Sequence, residues 1–371
     1  MTTVHTPLDT RIFLKECRSL AAAGFPVTLV APAAPTGVRD GVTLYPIPQR
    51  GSRWSRMLVG PWEAWRAARG AGGRVFHLHD PELLGIGCLL KLLGHRVIYD
   101  IHEDVPSQVL AKPWIPRSVR GLVGAGIAVL EAVGARVFDA LVCATPTIRA
   151  RFPNCRAEVV RNYPILQEFG SGVRYDERPA IVTYVGALVP ERGLWTMLEA
   201  APYLREQHRA TLVIAGRFAS RDLEISAQAH PGWGSVDFRG WLGRDEVVRL
   251  LATSRVGIVP LHRTPAYEVS LPVKMFEYMA AGIPVVASDF PIWREIIEGE
   301  ACGVLVEPAN APVLAALVGQ LLANPSEAEA MGRRGRAAVQ RRYAWASEAR
   351  TLIALYDSVL AGRHERGEYG A

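Results

Sequence analysis

The chain has 371 residues, of which 49% are apolar, 21% charged and 8% aromatic, and its formal net charge is +6. That length exceeds one ordinary core and fits two domains, and the apolar fraction excludes a disordered or low-complexity protein. The basic excess suits phosphate-bearing ligands or an anionic membrane surface, whereas nucleic acid is excluded as a partner because no basic–aromatic recognition module is present.

Taken in order, strand-like runs alternate with helix-like ones over almost the whole length, the pattern of parallel α/β sheets. In the first half the predicted strands are 27–32, 75–80, 97–104 and 140–145, with helices at 11–23, 54–69, 82–93 and 118–137. A doubly wound domain opens with a strand, yet only Met1–Val4 precede the loop His5–Arg11. Either that strand is very short or the start is truncated or misassigned; the expectation here is the latter. Polar and glycine residues interrupt the alternation at 165–178, which places an interdomain linker at 167–178. A fresh alternation follows, with strands at 180–186, 210–216, 235–240, 255–261, 283–288 and 302–308. Helices are predicted at 193–206, 244–254, 272–281, 291–298, 310–323, 326–342 and 345–361. The expected domains are 1–166 and 179–344, with a final helix and tail at 345–371. The expected fold class is α/β, with two Rossmann-like doubly wound domains facing a cleft.

The stretch Ser270–Pro291 reads as a short helix between two buried strands. Pro272 suits a first helical turn, and Gly282 suits the left-handed closing position before Pro284. A helix that starts at the carboxyl end of a strand favours an anion through its free N–H groups and dipole. Lys274 and Glu277, three apart, share a face near that end. A cation beside a phosphate, and a carboxylate able to accept from two hydroxyls, would serve a nucleotide sugar; the plain alternative is a surface Lys–Glu pair. Lysine occurs only at positions 15, 91, 112 and 274, which makes its presence here notable.

Gly186–Gly193 follows a strand and leads into a helix, and Arg192 could reach phosphates bidentately. Gly216 and Arg217 repeat the motif of a strand-end glycine with a basic neighbour. In the first half, His77–Glu82 and Tyr99–Asp104 each end a strand with histidines and carboxylates. Both clusters fit strand-end groups that contact a sugar or act as a general base. His77, His79 and His102 with nearby carboxylates form a candidate metal set, but no compact spacing such as His-Glu-x-x-His supports it. Asp80-Pro81-Glu82 also reads as a simple helix start. No Asp-x-Asp occurs, which argues against a carboxylate-held divalent metal.

Arg53–Arg69 carries tryptophans at 54, 62 and 65 amid arginines, which fits a membrane surface or an acceptor lipid as well as a helix covering the sheet. Leu122–Phe138 is the nearest approach to a membrane span and is interrupted by Glu131 and Arg136, so it reads as a packed helix. The five cysteines (17, 88, 143, 155 and 302) are odd in number and widely spaced, as for small buried residues in a reducing compartment. With no signal peptide evident, the expected location is cytoplasmic, with contact at the inner membrane face allowed.

The second half resembles the nucleotide-sugar domain of glycosyltransferase family 4, retaining enzymes of the GT-B fold. The motifs that carry this are YVGALVPERGL, TLVIAG, FRGWLGRDEVVRLLATSRVGIVPL, FEYMAAGIPVVASDFPIWREII and GVLVEP. The first half is similar through DTRIFLKECRSLAAAGFPVTLV, HDPELL and VIYDIHEDVP, and 345–361 looks like the family's last helix, which crosses back to the first domain. The resemblance implies that Glu277 holds the ribose hydroxyls, that Arg192 replaces a phosphate-binding lysine, and that His102 lies near the transferred sugar. It extends the donor set to Gly186, Gly216, Arg217, Ser270, Leu271 and Lys274, and the catalytic set to His102, Glu103 and Asp104. On the acceptor side it implies Asp9, Arg11, His79 and Asp80.

Two departures stand out. Ala187 occupies a position where the family often has a second basic residue. Val269 stands eight before Glu277 in place of a second glutamate, with Glu268 one position away and Ser-Leu-Pro-Val in place of Gly-Phe-Gly-Leu. The implied activity is a retaining hexosyl transfer from a nucleoside-diphosphate sugar, without metal or cofactor, to a glycan, lipid-linked or natural-product acceptor. A nucleotide-sugar epimerase or an inactive binding module would use the same fold.

Overall fold

In the first half, apolar runs that leave polar loops form the strands, and the helices among them pack residues such as Ala64, Leu84 and Ile86 back on the sheet. The computed structural model describes residues 1–106, 109, 115–170 and 173–362. Ser171 and Gly172 of the predicted linker and the tail 363–371 lie outside these. The chain divides into two compact units, one built from Met1–Asn162 together with the segment that starts at Trp345, the other from Tyr163–Ala344. The predicted linker at 167–178 therefore belongs to the second unit, where Phe169 and Tyr175 are core residues.

In the first unit, β1 (Val27–Pro32), β2 (Gly37–Arg39) and β3 (Val42–Ile47) form a sheet of order β1-β3-β2. The other four strands, β4 (Val75–Leu78), β5 (Arg96–Ile101), β6 (Ala140–Cys143) and β7 (Ala157–Val159), run parallel in chain order. The amino-terminal residues join the two sheets. Thr2 N–H donates to Val30 O at 3.0 Å, His79 N–H donates to Met1 O at 3.2 Å, and the terminal ammonium donates to His77 O at 2.6 Å. Met1–Thr3 thus fills the slot of a first strand, in a unit wound outward in both directions from it.

The sequence reading lacked β2, β3 and β7: the first two lie in a stretch broken by Asp40, Gly41 and Pro46, and β7 has only three residues. The final helix, Trp345–Ala361, packs within the first unit. There the Trp345 indole donates to Ser19 Oγ at 2.8 Å and Glu348 accepts from Arg161 N–H at 2.7 Å.

The second unit holds β8 (Ile181–Val185), β9 (Thr211–Ala215), β10 (Val236–Phe238), β11 (Val256–Val259), β12 (Val285–Ser288) and β13 (Gly303–Val306). They are all parallel in the order β10-β9-β8-β11-β12-β13, the doubly wound order that reverses between β8 and β11. Trp293, Tyr184, Tyr278 and Phe276 are fully buried there. Gly257 gives β11 the space to receive the Tyr278 ring, where a Cβ would collide.

Candidate active site

Ligands of open α/β sheets bind outside the carboxyl ends of the strands where the order reverses, which in the second unit is the pair β8 and β11. After β8 the chain passes Gly186 at φ +147° and a short turn, Pro190–Arg192, and then reaches Gly193 at φ +80°. A Cβ on Gly193 would strike the Pro260 carbonyl beyond β11, and one on Gly216 would strike the Gly186 carbonyl. Glycine is thus required at these positions by close backbone approach as well as by φ.

The helix after β11 spans Val273–Ala280, with Pro272 in the capping position and no side-chain cap on its N-terminus. Gly282 closes it at φ +69°, as expected. Lys274 and Glu277 share a face, but they do not form the surface pair of the plain reading. The Lys274 Nζ is buried 3.7 Å from the centre of the Tyr184 ring and has no hydrogen-bond acceptor. It lies close over Gly186, where a Cβ would come within 2.6 Å of Nζ. Burial, then repulsion from Arg192, holds the amine well below its usual pKa, against the pull of Glu277.

Glu277 is only 7% exposed and accepts from Arg244 Nη1. Arg244 also donates to Glu168 (Nε 2.8 Å, Nη2 2.5 Å), and its guanidinium stacks 5.2 Å from the Phe169 ring. Arg244 opens the helix Arg244–Thr253, whose start is fixed by Gly243 N–H donating to Glu246 at 2.7 Å.

Of the other expected donor residues, Arg192 Nε donates to the Tyr267 hydroxyl at 3.4 Å. Arg217 lies 4.9 Å over the Trp241 ring. Ser270 turns its hydroxyl to the Tyr267 carbonyl, and its own carbonyl accepts from the Trp293 indole at 2.7 Å. Leu271 packs against the core. Glu268 pairs with Arg263 at the surface, so it does not stand in for the carboxylate missing at Val269.

In the first unit, His102 follows β5, and its Nε2 lies 2.9 Å from Asp100 Oδ2 and 3.3 Å from His79 Nδ1. His102 keeps 17% of its side chain exposed, while His79 and Asp100 are buried. Two expectations are corrected here. Arg11, read as facing an acceptor, is 4% exposed and internal: it donates to Asp100 (Nε 3.1 Å, Nη2 2.9 Å) and to Val160 O (3.0 Å), and Nε lies 2.9 Å from Glu16. Asp80 is 2% exposed and is consumed by the amino-terminal segment, accepting from Thr2 Oγ1 at 2.8 Å and Thr3 N–H at 2.6 Å. Its side chain caps no helix, although Pro81 does open the turn that follows.

Asp9 accepts from Arg11 and Ile12 N–H groups and starts the helical turn Thr10–Cys17. Burial opposes its ionisation, yet His5 and those N–H groups bring its pKa down to about 2. Asp104 pairs with Arg151 at 2.9 Å, and Arg151 also reaches Glu131 at 2.6 Å; Glu103 is exposed.

The tertiary structure also gathers one ligand atom each from Glu16, His79, Asp100 and His102 within 4.8 Å of one another, a set that sequence spacing did not display. Burial and Asp100 raise the Glu16 carboxyl well above its usual range; burial works against Asp100 too, but Arg11 and His102 hold it well below. The Arg11 guanidinium thus supplies the positive charge between these carboxylates. A cavity of about 730 Å³ lined by Arg69, Arg74, His95 and Arg96 lies at the opposite, amino-terminal ends of β4 and β5.

Arg244, Glu168 and Tyr184 were not among the expected site residues, and Asp100 entered only as a carboxylate of the Tyr99–Asp104 cluster. An arginine heading a helix and a glutamate in a polar linker look like solvated charges until the fold brings them to Glu277.

Comparison with known proteins bears on the family and the fold. Residues 167–338 match the family described as "Glycosyl transferases group 1" and residues 10–164 match "Glycosyl transferase 4-like domain". The first curated relatives align over about half of each chain, for example 186 residues at 31% identity, covering 50% of this chain and 46% of the relative. The phosphatidyl-myo-inositol mannosyltransferase of Mycobacterium leprae aligns over 377 residues at 26% identity, covering 93% of this chain and 91% of its own. Among solved structures, sucrose-phosphate synthase from Thermosynechococcus elongatus superposes with TM-score 0.74 at 20% identity, covering 93% and 92%. Anabaena HepE in complex with UDP and glucose superposes with TM-score 0.68 at 13% identity, covering 92% and 95%. The chain belongs to the family 4 glycosyltransferases and has their GT-B fold.

Proposed function

We propose that this protein transfers a hexose-type sugar from a UDP- or GDP-linked donor to a glycan, lipid-linked or natural-product acceptor, with retention of configuration and without a divalent metal. One observation carries this reading. A buried amine on Lys274, the Arg192 turn and the Glu277 carboxylate converge at the reversal point of a doubly wound sheet. Glu277 would accept from the ribose hydroxyls, with Arg244 holding it in place. Arg192, Lys274 and the open start of the Val273–Ala280 helix would meet the charge that develops on the leaving diphosphate.

In the first unit, His102 would orient sugar or acceptor, held by Asp100, with Glu103 and Asp104 nearby. The departing phosphate would take the acceptor's proton. That HepE is described with UDP and glucose, and that the Mycobacterium leprae relative is named for phosphatidyl-myo-inositol, supports a nucleotide-sugar donor and a lipid-linked acceptor. The helix Arg53–Gly70 supports peripheral membrane contact from a cytoplasmic location. Gly60, Ala64, Ala67 and Ala68 face its core side, while Trp54, Leu58 and Trp62 are 68%, 69% and 50% exposed.

The test is titration with UDP, GDP, ADP and dTDP, with and without EDTA, on the wild type and on Glu277→Ala. One nucleotide is expected to bind irrespective of EDTA. The substitution should weaken it at least ~30-fold, the loss of charge-assisted bonds to ribose hydroxyls. Unchanged affinity in Glu277→Ala would overturn the assignment of that residue. Nucleotide-sugar consumption without any acceptor, giving an altered sugar, would favour an epimerase.

A further inference from the structure

We propose that Lys274 stands as a free amine in the empty site and takes up a proton when a diphosphate binds, so that it becomes the second phosphate cation missing at Ala187. This rests on the nucleotide-sugar reading above and says how its anion subsite is charged.

The geometry is unusual for a lysine. Its Nζ is buried, finds no hydrogen-bond acceptor, and is covered on one side by the Tyr184 ring at 3.7 Å. An ammonium there would leave its three N–H groups unmet, and one aromatic face compensates only part of that cost. The groups that face it from each packed element do not supply an anion. From β8 and the turn after it come Tyr184, whose hydroxyl donates to Ala187 O at 3.0 Å, the bare Gly186 backbone, and Arg192, a like charge. From its own helix come Tyr278, whose hydroxyl accepts from Val185 N–H at 3.0 Å, and Glu277, whose carboxylate is already matched by Arg244. Tyr267 is engaged with Arg192. Burial first, and Arg192 second, push the amine toward its neutral form.

A diphosphate reverses each of these conditions. It brings negative charge beside Arg192 and acceptor oxygens for the unmatched N–H groups of Nζ, approaching where Gly186 keeps the backbone bare of side chain. The step is R–NH₂ + H⁺ → R–NH₃⁺, with the proton drawn from solvent and no other bond made or broken. This arrangement replaces a residue lost after the β8 glycine with one that arrives from the helix after β11. It also lets a cation be stored beside Arg192 without repulsion until the ligand needs it.

The experiment is isothermal titration calorimetry of the full chain with UDP, GDP, ADP and dTDP at about pH 8, where a terminal phosphate with second pKa near 6 is already ionised. Repeating it in three buffers of different ionisation enthalpy gives the number of protons exchanged. Wild type should take up close to one proton per nucleotide bound. Lys274→Arg, charged throughout, should bind with no uptake, and Lys274→Met should bind at least ~10-fold more weakly, also with no uptake. Wild-type binding with zero proton exchange, or uptake that persists in Lys274→Arg, would overturn the proposal and leave the nucleotide site standing. If none of the four nucleotides binds, the nucleotide-sugar reading falls and this inference falls with it.

Discussion

At the scale of single residues, the chemistry is set by charges that the fold removes from water. His77 sits between the terminal ammonium, which donates to its carbonyl, and the Tyr356 hydroxyl, 2.9 Å from its Nδ1. Burial lowers its pKa to about 3, and His79 is lowered as well, by burial and then by His77. Both groups are neutral in the folded protein but bind protons near pH 6.5 when unfolded. The unfolded state therefore binds more protons between those limits, and stability falls as pH drops from about 6.5 toward 3. We expect urea midpoints of the first unit to fall steadily across that range. His77→Phe, which removes one of the two titrating groups, should flatten the slope measurably. An unchanged slope would show that His77 does not carry the acid sensitivity.

At the scale of elements, the helix Arg53–Gly70 packs its small residues and Trp65 inward and leaves Trp54, Leu58 and Trp62 facing water. Another helix of the first unit, Arg117–Val137, is long and apolar enough to cross a membrane by length and composition, and only 22% of its most apolar window is buried. It packs through Gly134 against Phe138 and Leu84, leaving Leu122, Val129 and Leu130 exposed. Exposed tryptophan and leucine beside arginine match an anionic lipid surface. Replacing Trp54, Leu58 and Trp62 together by serine should cut sedimentation with anionic vesicles at least ~10-fold and leave the melting temperature within about 2 °C, because none of the three lies in the core. Equal vesicle binding by the variant would remove this helix from any membrane role. The helix itself was legible in the sequence from its period. Which face it buries was not, because tryptophan at helical spacing serves a core and a membrane equally well.

At the scale of the whole molecule, the order of the chain and the order of the units differ. The final helix returns to the first unit, with Tyr356 beside His77, 279 residues earlier, and Trp345 against Ser19, 326 residues earlier. A stop at position 345 should therefore unfold or open the first unit and spare the second. Limited proteolysis would show cleavage within 1–162, while a fragment starting near Tyr163 stays protected; the reverse pattern would contradict this division.

Sequence alone determined the alternation of strands and helices, since period-2 and period-3.6 patterns report burial locally. It also determined Pro272 and Gly282 at the ends of the key helix and the family's motifs at 180–310, because steric limits at proline and glycine and the spacing of apolar residues are short-range. Short strands escaped: β2 and β3 contain a glycine or a proline, and β7 has only three residues, too few to carry a pattern. Only the tertiary structure decided that Arg11 and Asp80 are internal braces, that Arg244 and Glu168 hold Glu277, and that Lys274 lies over Tyr184 with no acceptor. Each of these depends on charges far apart in the chain meeting at low dielectric, where pairing and desolvation outweigh anything a residue's neighbours in sequence can prescribe.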